Sequence, residues 1–327
     1  MINNAKASKL ISSTDSTNIY SEFWAEISNL EEDEEIDIEI VDEHIEQNPH
    51  TRSIPERENP LGRQSVYPLC YNVNWGTGFG YHYYMPESLL YLYAPCKLPV
   101  NNLVVSICHL MSSYWVPSKY GWMYMPNSIE QIPENDKPNL IASMFKDVSD
   151  QLGVRAEGDM GMYAFATIVN GQIQSFFGAN GYSNTGEKFD YNFDEGSFLK
   201  VYNSLLSWNP VLFVQLKQPN GKKRNWVIDN KQDRIDHTFV VDGYQEVKVK
   251  VTKKKYFLGI VVSTKVYYYY SDFFRFLYPD SRGRYSTRGG VTVGANSTGW
   301  FQQDHNQFNF NFVPDYNRRI AFTGIRP

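Results

Sequence analysis

Apolar and polar positions along this chain follow two periods, helical in the first half and strand-like in the second. Leu103, Val104, Ile107, Leu110, Met111 and Tyr114 recur at three- and four-residue spacing. They predict a helix from about 102 to 115, with Asn101 or Asn102 as its cap. A second helix is predicted over 139–152, with Ile141, Met144, Phe145, Val148 and Leu152 inward and Gly153 as its stop. A third runs from about 197 to 208 and ends at Asn209-Pro210. Asn170-Gly171, between Thr167-Ile168-Val169 and Gln172-Ile173, predicts a hairpin. Pro219-Asn220-Gly221 predicts another, joining 211–217 to 225–229. Strands are then expected at 238–245, 247–251, 256–263 and 266–270, with 308–312 and 320–325 closing the chain. Helices followed by strands give an α+β class.

Charge separates a leader from a body. Residues 1–50 hold 13 Asp or Glu against Lys6 and Lys9, a net −11, so the rest of this 327-residue chain carries +6. Glu31 to Glu35 is wholly acidic, and Ile36-Asp37-Ile38-Glu39-Ile40 alternates apolar with acidic residues. That pattern fits an edge strand, an extended segment on a basic surface, or a solvated acidic tail. The polar, Pro-containing stretch 57–61 reads as a linker, so an acidic leader is placed at 1–60 and a body at 61–327. The basic stretch Ser281 to Gly290 reads as a flexible loop, one acceptor for the leader or simply a long surface loop.

Several function classes drop out on composition. No Lys/Arg block suggests nucleic acid, and Lys253-Lys254-Lys255 reads as a solvated strand edge. No apolar run reaches the roughly 18 residues of a membrane-spanning helix, so no membrane span is expected. The opening residues lack the apolar core of a signal peptide. Cys70, Cys96 and Cys108 make neither a complete disulfide framework nor a Cys-x-x-Cys pair. His44, His50, His82, His109 and His305 show no metal-ligand spacing, so neither metal nor cofactor is expected. The run Tyr267 to Tyr270 is either a binding face or a strand with one exposed side.

Three stretches, in order, resemble the streptopain family of papain-like cysteine peptidases. Trp75-Gly76-Thr77-Gly78, followed by Met85-Pro86, is similar to the family's Trp-Gly-Gln-Gly turn and later Cys-Pro. Asn101-Asn102-Leu103 through Leu110-Met111, with Tyr120-Gly121-Trp122 after it, resembles the nucleophile helix and a following Tyr-Asp-Trp. Asp236-His237-Thr238-Phe239-Val240-Val241-Asp242-Gly243-Tyr244 resembles the family's Gly-His-Ala-Phe-Val-x-Asp-Gly-Tyr most closely. Weaker matches, Ser149 to Gly161 and Asn296 to Phe301, extend the resemblance over about 66–327. It implies a papain-like fold: a helical subdomain and a twisted antiparallel sheet carrying His237. It also implies peptide or protein ligands, a bacterial source, a secreted or surface location and a prosegment that blocks the cleft. The absent signal peptide leaves a cytoplasmic location open.

A cysteine peptidase needs a thiolate, a base, a group that orients the base and oxyanion donors. His237 stands at the base position, but Asn102 occupies the nucleophile position, where its use is as a helix cap. Thr77 stands where the oxyanion Gln belongs, and one such donor is worth about 100–1000-fold in rate. The stretch from Gly290 aligns with the motif whose Asn would orient His237. Trp75, Gly76, Asp236, Asp242 and Gly290 are expected around the cleft. The reading is a pseudopeptidase that binds without cleaving. Its rivals are an active endopeptidase using Cys96, six residues before Asn102, and a surface adhesion module built on the Tyr-rich strand. Cys70 and Cys108 read as structural.

Overall fold

The structure is a computed structural model that describes residues 34–40, 61–70, 73, 75–78, 80–88, 96–127, 138–156, 162–192, 194–217, 234–257, 260–277, 279, 284–287, 290–293, 299–302 and 317–327. The elements expected at 225–229 and 308–312, and the turn at Asn220-Gly221, lie outside these residues. Helices and antiparallel strands both contribute, an α+β arrangement. The chain divides into two compact units. One comprises 65–244 and 274–327, the other 1–64 and 245–273.

In the larger unit, helix α1 spans Asn102–Ser112 and α2 spans Leu140–Leu152. Asn139 accepts the Ala142 N–H at 2.8 Å to open α2, and Gly153, at φ 66°, closes it. A third helix, α3, covers Gln172–Ala179, and α4 covers Glu195–Leu206, capped by Asp194. The hairpin expected at Asn170-Gly171 is therefore absent. A 3₁₀ turn at Ala166–Val169 leads through Gly171, at φ 118°, into α3. The period that mattered there was Ile173, Phe176 and Phe177, all buried on one helical face.

The strands in chain order are β1 (Glu34–Ile40), β2 (Glu87–Ser88), β3 (Cys96–Lys97), β4 (Arg155–Ala156), β5 (Met162–Tyr163), β6 (Asn184–Asp190) and β7 (Val211–Lys217). They continue with β8 (Arg234–Phe257), β9 (Ile260–Leu277), β10 (Arg284–Thr287), β11 (Gly290–Val293), β12 (Gly299–Gln302) and β13 (Asn317–Arg326). The main sheet has the order β12-β9-β8-β7-β13-β6, with β1 also paired to β8. The four strands expected between 238 and 270 are two long ones. The polar positions near Gln245 and Thr252 do not interrupt β8, because an extended backbone tolerates them wherever one face meets water.

Successive residues of β7, β8 and β13 serve opposite faces of this sheet. Leu212, Val214, Val240, Ile320 and Phe322 join the core that contains α1, α2 and α3. Val211, Phe213, Phe239, Val241 and Ala321 join the core that contains α4. Helices thus cover both faces, which explains why Val211-Leu212-Phe213-Val214 is apolar without alternation.

In the smaller unit, β1 adds antiparallel to β8, with Glu34 opposite Lys255, Glu35 opposite Lys254 and Glu39 opposite Lys250. The acidic segment thus pairs along the Lys253-Lys254-Lys255 stretch, where Lys255 is exposed and Lys253 and Lys254 are half-buried. In the larger unit, residues 284–287 within the loop expected at 281–290 form a strand instead. Glu246 receives the N–H groups of Leu61 and Gly62 at 2.8 and 3.0 Å, and Arg63 pairs with buried Asp272 at 3.1 Å.

Gly186 sits at φ 94°, and a Cβ there would lie 2.6 Å from Ile325 Cγ1 and 3.1 Å from the Thr323 carbonyl. Both the left-handed backbone and the β6–β13 contact require glycine. Gly186→Ala is expected to cost more than about 1 kcal/mol in a urea melt, whereas Gly62→Ala, open in space, should cost less.

Candidate functional site

Helix α1 begins at the position the sequence pattern sets. Asn101 is the cap. Its side-chain oxygen accepts the Leu103 N–H at 2.9 Å, and its amide nitrogen donates to the Met162 carbonyl at 2.7 Å. The capping role expected of Asn102 therefore belongs to its neighbour, whose backbone is extended as a cap requires. Asn102 is the first helical residue and is half-buried.

The Trp75 to Gly78 turn lies just before this helix. Thr77 is buried, and its carbonyl accepts the Val100 N–H at 3.0 Å. Gly76 is buried too. Trp75 is fully buried, stacks on His109 of α1 with centroids 5.7 Å apart, and donates to the Pro126 carbonyl at 2.8 Å. It belongs to the core around α1.

One hydrogen bond ties α1 to β8. Ser106 Oγ meets Thr238 Oγ1 at 3.2 Å, and both residues are wholly buried. Ser106 follows Asn102 by one helical turn, so the two lie on one side of α1. His237 pairs with Gln215, and strand alternation gives it the face of Phe239, whose ring stacks on Phe213 on the α4 side. The structure brings the main chain of the base position to α1, but the side chain that faces α1 there is Thr238. Asp236 has no opposite residue, because the pairing shifts from Gln215–His237 to Leu216–Ile235. Such a bulge bends the strand beside His237.

Asp242 is buried with no exposed surface. Its Oδ2 accepts the Cys70 N–H at 2.9 Å and an Arg275 Nη1 proton at 2.6 Å. Burial pushes this carboxyl above its usual range, and Arg275 and the Cys70 N–H pull it part of the way back. Its role is to hold the 69–70 segment to β8, aided by the Leu69 N–H bond to the Asp242 carbonyl. Arg275 was not among the expected site residues; the signal that could have found it is a lone cation within Phe273-Phe274-Arg275-Phe276, a pattern that calls for a buried carboxylate partner.

The remaining positions stand apart. Gly290 opens β11 opposite Thr287, in a separate two-stranded sheet. Cys96 lies in β3 opposite Ser88, not at a helix start. Cys70 and Cys108 are buried, and burial pushes both thiols well above their ordinary values, so neither is a thiolate at neutral pH. A cavity of about 340 Å³ opens at the other end of α1, lined among others by Cys70, Trp75, Ser112, Trp115 and Trp122. Among the described residues no group of three His, Cys, Asp or Glu is placed to hold a metal, and no helix is long and apolar enough to cross a membrane. No protein-family model matches the chain, and neither does any curated protein sequence.

Three measurements follow from this geometry. Arg275→Met leaves Asp242 buried without its cation, with an expected loss of about 3–5 kcal/mol in chemical denaturation. A double-mutant cycle of Ser106→Ala and Thr238→Val should return a coupling of about 1 kcal/mol. His82 is buried, and desolvation lowers its pKa to about 4 from 6.5, with Lys97 contributing. Between these values the unfolded chain binds the proton and the folded one does not. Stability from this group is therefore full above pH 6.5 and falls as pH drops toward 4, and His82→Gln should flatten that part of the pH–stability curve.

Proposed function

We propose that this chain is a streptopain-like pseudopeptidase, a papain-like frame that binds peptide or protein segments without cleaving them. The observation that carries the reading is the start of α1. A cysteine peptidase places its thiolate at such a helix N-terminus, where the dipole lowers the thiol pKa. Here that position is Asn102, and one turn on the helix meets β8 through a pair of hydroxyls, Ser106 and Thr238. A hydroxyl needs a general base beside it to act as a nucleophile, and here Ser106 is buried against Thr238 while strand alternation gives His237 the opposite face. Thr77 supports the same reading, since its short side chain is buried where the family has a long amide donor.

The active rival needs Cys96, which sits six residues before α1 on a short strand rather than at a helix start. The pairing of acidic β1 with basic β8 supports an intramolecular role for the leader. Secretion or surface display, the location implied by the resemblance, is part of the proposal.

The direct test incubates the full chain with an unfolded protein substrate and an alkylating probe, followed by peptide-resolved mass spectrometry. The expected result is no cleavage and no fast-labelling cysteine. Cleavage with selective labelling of Cys96 would sink the pseudopeptidase reading. A companion variant, Asn102→Cys, places a thiol at the α1 N-terminus. Its alkylation should titrate below the ordinary thiol range, and adding His237→Ala should leave that titration unchanged, since His237 lies on the other face.

A further inference from the structure

The distal part of the β8–β9 ribbon, within the smaller unit, has an unusual surface. Seven consecutive residues of β9, Ile260 to Val266, are all exposed. Ile260 retains 70% of its surface, Val261 45%, Val262 56% and Val266 45%. Neighbouring strand residues point to opposite faces, so apolar side chains stand bare on both sides of the ribbon. A folded protein laid against the ribbon would cover one side and leave the other wet. A fluid apolar medium covers both.

The flanking chemistry selects the kind of medium. Tyr267, Tyr268 and Tyr270 follow directly, and Tyr268 is exposed with the Lys248 ammonium 4.3 Å above its ring. Tyrosine carries an apolar ring and a polar tip, the composition favoured where hydrocarbon meets headgroups. From Ile260 to Val262 the strand advances roughly 7 Å, which matches shallow burial at that boundary. Residues 245–273 carry six lysines against Glu246 and Asp272, so the ribbon itself is basic. Acidic β1, with Glu34, Glu35 and Glu39 opposite Lys255, Lys254 and Lys250 and Asp37 opposite Thr252, carries −4 and balances the ribbon's +4 while it is paired.

From these observations we infer that the β8–β9 tip docks on a lipid bilayer surface with anionic headgroups. Ile260, Val261, Val262 and Val266 enter the interfacial layer, the tyrosines sit at headgroup level, and β1 restrains the electrostatic attraction. This inference stands apart from the pseudopeptidase reading, because its residues lie outside the α1 site.

The test is co-sedimentation of the full chain with vesicles of phosphatidylcholine alone or with about 30% phosphatidylserine. Binding is expected on the anionic vesicles. Val261→Asp with Val262→Asp should lower it at least about tenfold, and Val262→Trp should raise it. Glu34→Gln, Glu35→Gln and Glu39→Gln together should raise binding to the anionic vesicles and leave the neutral ones unchanged. An unchanged thermal melt of the Asp variant assigns its loss to the surface. Equal binding by wild type and the Asp variant, or no binding by wild type, overturns the proposal. So does sedimentation without vesicles that the Asp variant abolishes, which would mark the tip as a contact between copies of the chain.

Discussion

Helix α1 has no wet face, and the larger unit is organised around that constraint. Ten of its eleven residues, Leu103 to Ser112, are buried. A helix apolar all round is stable only when enclosed. The sheet supplies one wall through Leu212, Val214 and Val240, α2 supplies another through Met144 and Phe145, and Trp75 closes a third against His109. Two of the hydroxyls brought inside are hydrogen-bonded. Ser112 donates to the His109 carbonyl, and Ser106 meets Thr238.

The second core depends on the first through the sheet. Alternation in β7, β8 and β13 means that fixing one face fixes the other. Phe213 and Phe239 stack on the α4 side because Leu212 and Val240 are held on the α1 side. The bulge at Asp236 falls at the end of this regular stretch. The register that sets Thr238 toward α1 therefore also sets His237 away from it. Local strand pairing decides the chemistry available beside the helix, independently of which residue types lie near one another in sequence.

Much of this was legible in sequence. The α2 face was read residue by residue, because a long 3.6-residue pattern with Asn before it and Gly after it has one physical interpretation, whereas for α1 the helix and its start were legible but not its end at Ser112 or the burial of Val105, Ser106 and Cys108 outside the expected face. Misreadings arose where a short signal competed with a longer one. Asn170-Gly171 is a turn pair in isolation, but Ile173, Phe176 and Phe177 beyond it required a helix. The choice between Asn101 and Asn102 as cap was not legible, since it rests on the Met162 carbonyl, about sixty residues on. The orientation of His237 was hidden for a similar reason: it depends on the one-residue shift against Gln215 and Leu216.

The double use of Asn101 has an evolutionary consequence. Because that residue closes the helix end and fastens it to the Met162 carbonyl, the cap itself does not depend on the next position. The helix start constrains what stands at 102 less than what stands at 101. A lineage could exchange a reactive side chain there for an inert amide, or reverse the exchange, while α1 and the core around it persisted unchanged.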